Sequence, residues 1–195
     1  MAASKVEIAN SALIKIGAAP ILSFDDATKE ARLVKHRYIP GLRACLRSHI
    51  WNFALKRLSL APTATTPAFK YTYEFALPAD FVRALDVSDG DQDYRMENGK
   101  ILANTNELEF LYVYQNEETP TYDALFDEVL ANYLAWDLSY ALTQSMSVKR
   151  DCWEAYRESL RQARSVNAKE EIHEAMDAEY WDLARLSSST SRANR

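Results

Sequence analysis

The chain has 195 residues, of which 48% are hydrophobic and 26% charged, and its formal net charge is −5. This composition is typical of a globular protein that buries a core without disulfides, and it excludes a chain that is disordered throughout. Glu7 lies where a signal peptide would be apolar, and no run approaches the roughly 18 apolar residues of a membrane helix, so we expect a protein assembled in a cytoplasm.

The charges are distributed unevenly along the chain. Residues 1–60 hold ten Lys and Arg against four Asp and Glu, residues 61–146 hold four against fifteen, and residues 147–195 hold nine against nine. Opposite charge on two parts of a subunit suits head-to-tail or ring association, because complementary patches steer docking. The alternative is that helices and loops simply differ in charge.

Helical spacing dominates the first fifty residues. The apolar spacing in residues 6–16 predicts a short helix, and Gly17 follows it as a C-terminal cap. Asp25 and Asp26 are placed to cap a long second helix that precedes the tryptophan at position 51. Pro40 is expected to kink or interrupt that helix.

From Trp51 to about residue 120 the pattern becomes that of β-strands. Aromatic residues alternate with polar ones around Tyr73, and residues 81–87 and 107–115 have the composition of further strands. Between them, Asn98 and Gly99 are flanked by short apolar runs, which predicts a two-residue hairpin turn because Asn-Gly readily adopts positive φ angles.

Helical periodicity returns after residue 120. It predicts a helix from about residue 121 to 144 and another from residue 147, with residues 169–186 either continuing it or forming a third helix. Because aromatic rings at apolar positions bury large areas, Trp51, Trp136 and Trp153 are predicted to be largely buried.

The end of the chain has no bulky side chain. Small polar residues and two arginines cannot bury enough area to offset their ordering entropy, so we expect residues 187–195 to become ordered only against a partner. The residues proposed to dock on that partner are Ser187, Ser188, Ser189, Thr190, Arg192 and Arg195.

These elements predict an α+β fold, mainly a helical bundle with a small inserted antiparallel β domain. The bundle domain comprises residues 1–50 and 121–186, the β domain residues 51–120, and the flexible C-terminal tail residues 187–195. A β segment of this size usually depends on its neighbours for stability, which favours an oligomer.

The sequence shows no recognisable catalytic chemistry. His36, His49 and His173 have no metal-ligand spacing, and Cys45 and Cys152 are isolated from each other. The four glycines are too scattered for a nucleotide-binding loop, so we predict no catalytic residue, no metal and no cofactor.

A basic stripe in the second predicted helix offers a possible contact with phosphate. Its members recur at helical intervals and are Arg32, Lys35, Arg37, Arg43 and Arg47. The alternative, which the acidic net charge favours, is a solvated face or a face that meets an acidic neighbour.

Three stretches together resemble the head-to-tail adaptor family of short-tailed bacteriophages, also called tail tubular protein A or gatekeeper. The first has the pattern Asn-x-x-Leu-x-x-Ile-Gly, from Asn10 to Gly17, followed by Pro20. The second is Trp51 with Phe53 directly after the long helix. The third comprises residues 75–81 and 98–102, a strand and a hairpin of the β insert, and the order of elements matches over most of the chain.

The resemblance implies a structural subunit of a connector ring in the virion. In this family twelve copies form a ring under the portal protein, the helical part faces the portal, the lower part receives the tail nozzle protein, and DNA passes through the lumen. The family's C-terminal part holds the portal, which agrees with a docking role for residues 187–195.

Two other classes of function remain as alternatives. Some adaptors of this kind are credited with peptidoglycan hydrolysis, although no motif here identifies a catalytic pair among the 28 acidic residues. A small helical DNA-binding protein would instead use the Arg32 to Arg47 face and would bind in a salt-dependent manner.

Overall fold

The computed structural model describes residues 3–87 and 94–170. The described helices are α1 (Lys5–Lys15), α2 (Lys29–Ser48), α3 (Ala124–Thr143) and α4 (Met146–Glu170). The described strands are β1 (Leu55–Leu60), β2 (Tyr73–Ala76), β3 (Phe81–Val87), β4 (Arg95–Glu97), β5 (Lys100–Ala103) and β6 (Leu108–Tyr114). The predicted α+β class, with antiparallel strands inserted between helices, is confirmed.

Helix α1 has a capping motif at each end. The Ser4 side chain accepts a hydrogen bond from the Glu7 N–H, and the Glu7 carboxylate accepts one from the Ser4 N–H, which forms a capping box. At the other end Gly17 has φ +71°, and the Ala18 N–H donates to the Leu13 carbonyl at 2.9 Å. The prediction that the helix ends at Gly17 is therefore confirmed, because glycine adopts this left-handed conformation without strain.

The start of α2 differs from the prediction. Thr28 caps the helix by accepting a hydrogen bond from the Ala31 N–H, so the assignment of Asp25 and Asp26 as caps is wrong. Asp26 instead holds the preceding loop by accepting bonds from two of its backbone N–H groups, and Asp25 pairs with Lys35 at 2.7 Å. A carboxylate can accept hydrogen bonds from the backbone N–H groups of a loop as well as from those at the start of a helix, and sequence spacing does not distinguish the two cases.

Pro40 does not interrupt α2, which is helical on both sides of it. The missing N–H would bond the carbonyl of residue 36, and both positions are exposed, so water can satisfy that carbonyl. The next residue, Gly41, lies against α3: a Cβ there would be 3.1 Å from Leu134 Cδ2 and 3.2 Å from Tyr133 Cδ1. Packing on α3 therefore stabilises the helical conformation of α2 on both sides of Pro40.

Helix α3 lies at the centre of the helical part. It contacts α1, α2 and α4, and apolar residues surround most of its circumference. Its ends lie close to the predicted bounds of about 121 and 144, since Asp123 caps its start by accepting a hydrogen bond from the Leu125 N–H and Gln144, with φ +55°, ends it. Helix α4 packs chiefly on α3, through Tyr156 and Ala163.

The strands form two three-stranded antiparallel sheets. Sheet A has the order β1-β6-β3, and sheet B has the order β2-β5-β4. One face of sheet A contributes Val82 and Val113 to the core of the helices, whereas the other face buries Phe110 and Tyr112 against sheet B. The division into separate domains at residues 51–120 stays a prediction, since sheet A belongs to both cores.

The predicted hairpin is confirmed. Asn98 and Gly99 have φ angles of +48° and +71°, and Glu97 pairs with Lys100 across the turn between β4 and β5. Positive φ at both central residues is the geometry of a type I′ turn, which matches the twist of the two strands.

The three tryptophans have different environments. Trp51 is only 1% exposed, and its Nε1–H donates to the Cys45 carbonyl at 3.0 Å. Trp136 is half-buried, while Trp153 is 38% exposed, so the prediction that Trp153 is largely buried is wrong for the single chain. Trp153 lies at the margin of the α4 face that packs on α3, where only one side of the ring meets Trp136.

Replacing Gly99 with alanine should lower the free energy of unfolding by about 1 kcal/mol, because an L side chain at φ +71° is strained. Urea unfolding followed by circular dichroism measures this change. The matched control is Asn98→Gly, which keeps the positive φ and should change stability by less than about 0.5 kcal/mol. Equal stability of Gly99→Ala and the wild-type chain would contradict the turn geometry.

Candidate functional site

Ion pairs inside the chain join its basic and acidic blocks. They connect α1 or α2 to the acidic segment around α3 at 2.7, 2.6 and 2.6 Å, and they are Lys5 with Glu117, Lys15 with Glu128, and Arg37 with Asp137. Complementary charge at these positions therefore stabilises the fold of one chain, and it is not available to a neighbouring chain.

Most of the predicted basic stripe on α2 is engaged within the chain. Lys35 and Arg37 pair with aspartates, Arg47 donates to the Val82 carbonyl at 2.7 Å, and Arg32 donates to the Thr28 carbonyl. Arg43 is exposed. An engaged cation is less available to phosphate, so the stripe is a weaker candidate than the sequence suggested.

The end of the helical part that lies away from the strands exposes apolar side chains. The chain leaves the helices at Ser48 and re-enters them at Ala124, so the other ends of α2 and α3 point away from the sheets. We call this surface the distal end; its exposed apolar residues are Tyr140 and Met146, on either side of the turn between α3 and α4. Leu22 is 92% exposed but lies elsewhere, because its neighbours Ile21 and Phe24 contact Asn10 in the middle of α1 and Tyr38 in the middle of α2.

A second exposed apolar side chain, Phe69, lies on the loop before β2. It is 82% exposed, and we call its position the β tip; Tyr94 and Met96 are also exposed, but Met96 pairs with Ile101 and so projects from the other face of sheet B. An open groove of about 500 Å³ beside it is lined by residues that include Phe69, Lys70 and Arg95. Because sheet B packs on the face of sheet A that is turned away from the helical core, the β tip and the distal end lie at opposite ends of the molecule.

A third surface runs along α4. One side of this helix carries basic and apolar side chains, which we call the arginine flank: Met146, Arg150, Trp153, Arg157, Arg161 and Arg164. Acids of the same helix lie beside the flank: Glu158 pairs with Arg161 at 2.6 Å, and Asp151 lies 3.7 Å from Arg150. Trp153 packs on Trp136 with ring centroids 4.8 Å apart, and the Lys149 ammonium lies 5.8 Å from the Trp136 centroid.

One carboxylate in the helical part has a perturbed pKa. Burial, together with the charge of Asp123, raises the pKa of Asp127 to about 6. Its Oδ1 atom has no protein hydrogen-bond partner, and the nearby Tyr38 hydroxyl is also buried without one. The raised pKa follows from desolvation, and Asp127 points into the structure from the first turn of α3.

The other acids and the histidines offer little catalytic geometry. Asp80 accepts hydrogen bonds from Lys56 at 2.8 Å and from the Tyr112 hydroxyl at 2.9 Å, and these bonds lower its pKa although burial opposes them. The His49 ring lies edge-on to Trp51, and His173 lies outside the described residues. In residues 3–87 and 94–170 no group of three or more His, Cys, Asp and Glu could hold a metal ion.

The predicted docking residues of the tail, Ser187, Ser188, Ser189, Thr190, Arg192 and Arg195, lie outside the described residues. The surfaces described above were missed by the sequence reasoning. Their signals were weak: Phe69 is a lone aromatic residue in a stretch rich in Thr and Pro, whereas the arginine flank can be read from its helical spacing.

Comparisons with known proteins add no family assignment. No protein-family model matches the chain, and no curated protein matches it. Across the described part of the chain, none of the helices is long and apolar enough to cross a membrane.

The Asp127→Asn variant should gain stability relative to the wild-type chain as the pH rises. A folded-state pKa of about 6, above the unfolded value of 3.8, means that the neutral carboxyl stabilises the fold below pH 4 and that this stability is lost as the pH rises through 6. An asparagine does not ionise and avoids this loss.

Urea unfolding of both proteins between pH 4 and pH 7.5 measures the effect, and the difference between them should grow up to about pH 7. Asp25→Asn is the matched control: Lys35 lowers the pKa of Asp25 below its unfolded value of 3.8, so this carboxyl is ionised in both states above about pH 5 and the difference between that variant and wild type should stay constant from pH 5 to pH 7.5. A pH-independent difference for Asp127→Asn would contradict the assignment.

Proposed function

We propose that this protein is a non-enzymatic structural subunit of a bacteriophage head-to-tail connector ring. In this proposal twelve copies form a ring in the virion, which is assembled in the host cytoplasm, between the portal protein and the tail nozzle protein, with DNA passing through the lumen. The resemblance in the Asn10 to Pro20 stretch and in the β insert suggests this family, and the geometry supplies an independent argument.

The observation that carries the proposal is the presence of exposed apolar side chains at both ends of one molecule. The distal end exposes Tyr140 and Met146, and the β tip exposes Phe69. Large exposed apolar side chains favour protein contact, because their burial by a partner is favourable. A subunit with one such surface at each end suits a position between two partners.

The net charge is compatible with a duct for DNA. Twelve copies at −5 each carry −60 in total. A wall with net negative charge repels phosphate and so avoids holding a genome that must slide through. The engagement of Lys35, Arg37 and Arg47 within the chain also leaves fewer cations to grip DNA.

Mixing the purified chain with portal-bearing particles tests the proposal. We expect the mass added per particle to correspond to twelve chains, and Tyr140→Glu together with Met146→Glu should reduce attachment about tenfold or more, because both place a charge in the apolar distal end. Phe69→Glu, at the other end, is the matched control and should attach to the portal normally.

The same assay distinguishes the other classes of function. The wild-type chain could fail to attach to portal particles and instead clear purified peptidoglycan. That result would overturn the adaptor function and support a hydrolase. Failure to attach combined with salt-dependent binding to duplex DNA, abolished by Arg43→Glu, would favour the small DNA-binding protein.

Deleting residues 187–195 should abolish attachment to portal-bearing particles while the chain remains folded. These residues carry Arg192 and Arg195 with no acid after Asp182, so they can follow an acidic groove closely. Particle pull-down measures attachment, and circular dichroism verifies the fold. Replacing the segment by Gly and Ser residues of equal length is the control for length alone, and undiminished attachment of the deletion variant would refute the docking role.

A further inference from the structure

The arginine flank of α4 contains two arginines that folding leaves available, whereas Arg161 pairs with Glu158 at 2.6 Å and Arg164 donates to the Ser48 carbonyl. Arg150 and Arg157 are exposed and lie seven residues apart, so they stand on one side of the helix about 10 Å apart. Trp153 is exposed between them. Within the described residues Arg157 has no carboxylate partner, and the nearest acid to Arg150 is its chain neighbour Asp151 at 3.7 Å.

Aromatic side chains of α3 border the flank. Trp136 is half-buried and packs on Trp153, and Tyr140, one turn further along α3, is exposed. Tyr133 occupies the space between α2 and α4, because it lies against Gly41 and packs on the Tyr156 ring. The surface open to a partner is therefore the flank itself, with Tyr140 beside it.

The chain after α4 has the complementary chemistry. Residues 171–186 contain five acidic residues and one arginine, and apolar residues are interspersed among them. The acids are Glu171, Glu174, Asp177, Glu179 and Asp182, and the large apolar residues are Ile172, Met176, Tyr180, Trp181, Leu183 and Leu186. Carboxylates suit the arginines, and apolar side chains suit Trp153 and Met146.

We propose that residues 171–186 of one copy dock on the arginine flank of α4 of a second copy, where their carboxylates pair with Arg150 and Arg157. This contact rests on the proposed ring, because it names the surface through which neighbouring copies are joined. It is heterologous, since the flank and the segment are different parts of the chain, and heterologous contacts close into rings when the rotation between copies permits.

A second copy is favoured over the flank of the segment's own chain. The described part of α4 ends at Glu170, at the end of the helix near the sheets, whereas the flank extends back toward Met146. A segment that covered the flank of its own chain would have to reverse direction directly after α4. From residue 166 to residue 195 the sequence has neither glycine nor proline, the residues that most favour such a reversal.

An acidic segment also suits the flank better than nucleic acid does. The apolar side chains of Met146 and Trp153 lie among the arginines, and phosphate would leave them without an apolar partner. One side of the Trp153 ring already packs on Trp136, which limits the stacking of bases on it. An amphipathic peptide offers both the charges and the apolar contacts.

Binding of a synthetic peptide of residues 171–186 to the full-length chain tests the proposal directly. The receptor carries Glu174→Lys and Asp177→Lys, so that its own segment no longer competes with the peptide for the arginine flank. Fluorescence anisotropy should show saturable binding of the labelled peptide. Adding Arg150→Glu and Arg157→Glu to the receptor should weaken this binding about tenfold or more.

Matched variants separate the flank from a general effect of charge. Arg32→Glu with Arg43→Glu removes the same charge from the far side of α2 and should leave peptide binding within about twofold of the receptor's. A chain that combines the reversed flank with the reversed segment should recover the self-association of the wild-type chain, measured by sedimentation, because the two charges again complement each other.

Each outcome decides the proposal. Absence of peptide binding, or equal loss with the control pair, would overturn it, as would loss of duplex DNA binding on flank reversal while peptide binding is retained. The assays use the purified chain alone, so the contact between copies can fail while the chain still attaches to portal particles. In that case the adaptor function would stand without this contact.

Discussion

The burial of α3 on three sides is the constraint on which the rest of the structure depends. Its apolar residues face α1, α2 and α4 at once, and Phe126, Leu130 and Leu134 are fully buried. Each such side chain stabilises the fold by about 2 kcal/mol. The close approach at Gly41 lets α2 lie near enough to share this core, and it explains why α2 remains helical through Pro40. A single helix thus organises the whole helical part.

This arrangement also determines which surfaces remain open. Because α1, α2 and α4 each pack chiefly on α3, the sides of α4 have little to pack on, and Trp153 remains exposed beside Trp136. The strands inserted between α2 and α3 all leave from one end of the helices, so no sheet covers Tyr140 and Met146 at the other end. The open surfaces are therefore consequences of the topology.

Sequence patterns predicted the features that local backbone chemistry determines. Gly17 and the Asn98-Gly99 pair occupy positive φ angles that few other residues adopt, so their positions could be recognised without tertiary information. The same reasoning failed for Asp26 and Trp153. Tertiary packing decides whether a carboxylate bonds the backbone of a loop or of a helix start, as for Asp26. It also decides whether an amphipathic helix has neighbours on one side or on two, as for Trp153.

The candidate surfaces were harder to predict for a related reason. A periodic pattern shows that an apolar residue belongs to a face, but not that the face is covered, and an irregular segment such as the one around Leu22 has no period at all. Charge blocks are similarly ambiguous. The pairing of Arg37 with Asp137 shows that a basic block and an acidic block can serve the fold of one chain, so their opposite charge is no evidence for association.

Association must then rely on charges and apolar groups that folding leaves unpaired. At the start of the chain the cations are mostly engaged, whereas Arg157 on α4 has no acid partner among the described residues, and Trp153 beside it is exposed. An exposed arginine next to an exposed aromatic ring provides both a bidentate donor and an apolar anchor, the two residue types that are enriched at the centres of protein interfaces. For this reason α4 is a stronger candidate for recognition than the more basic first fifty residues.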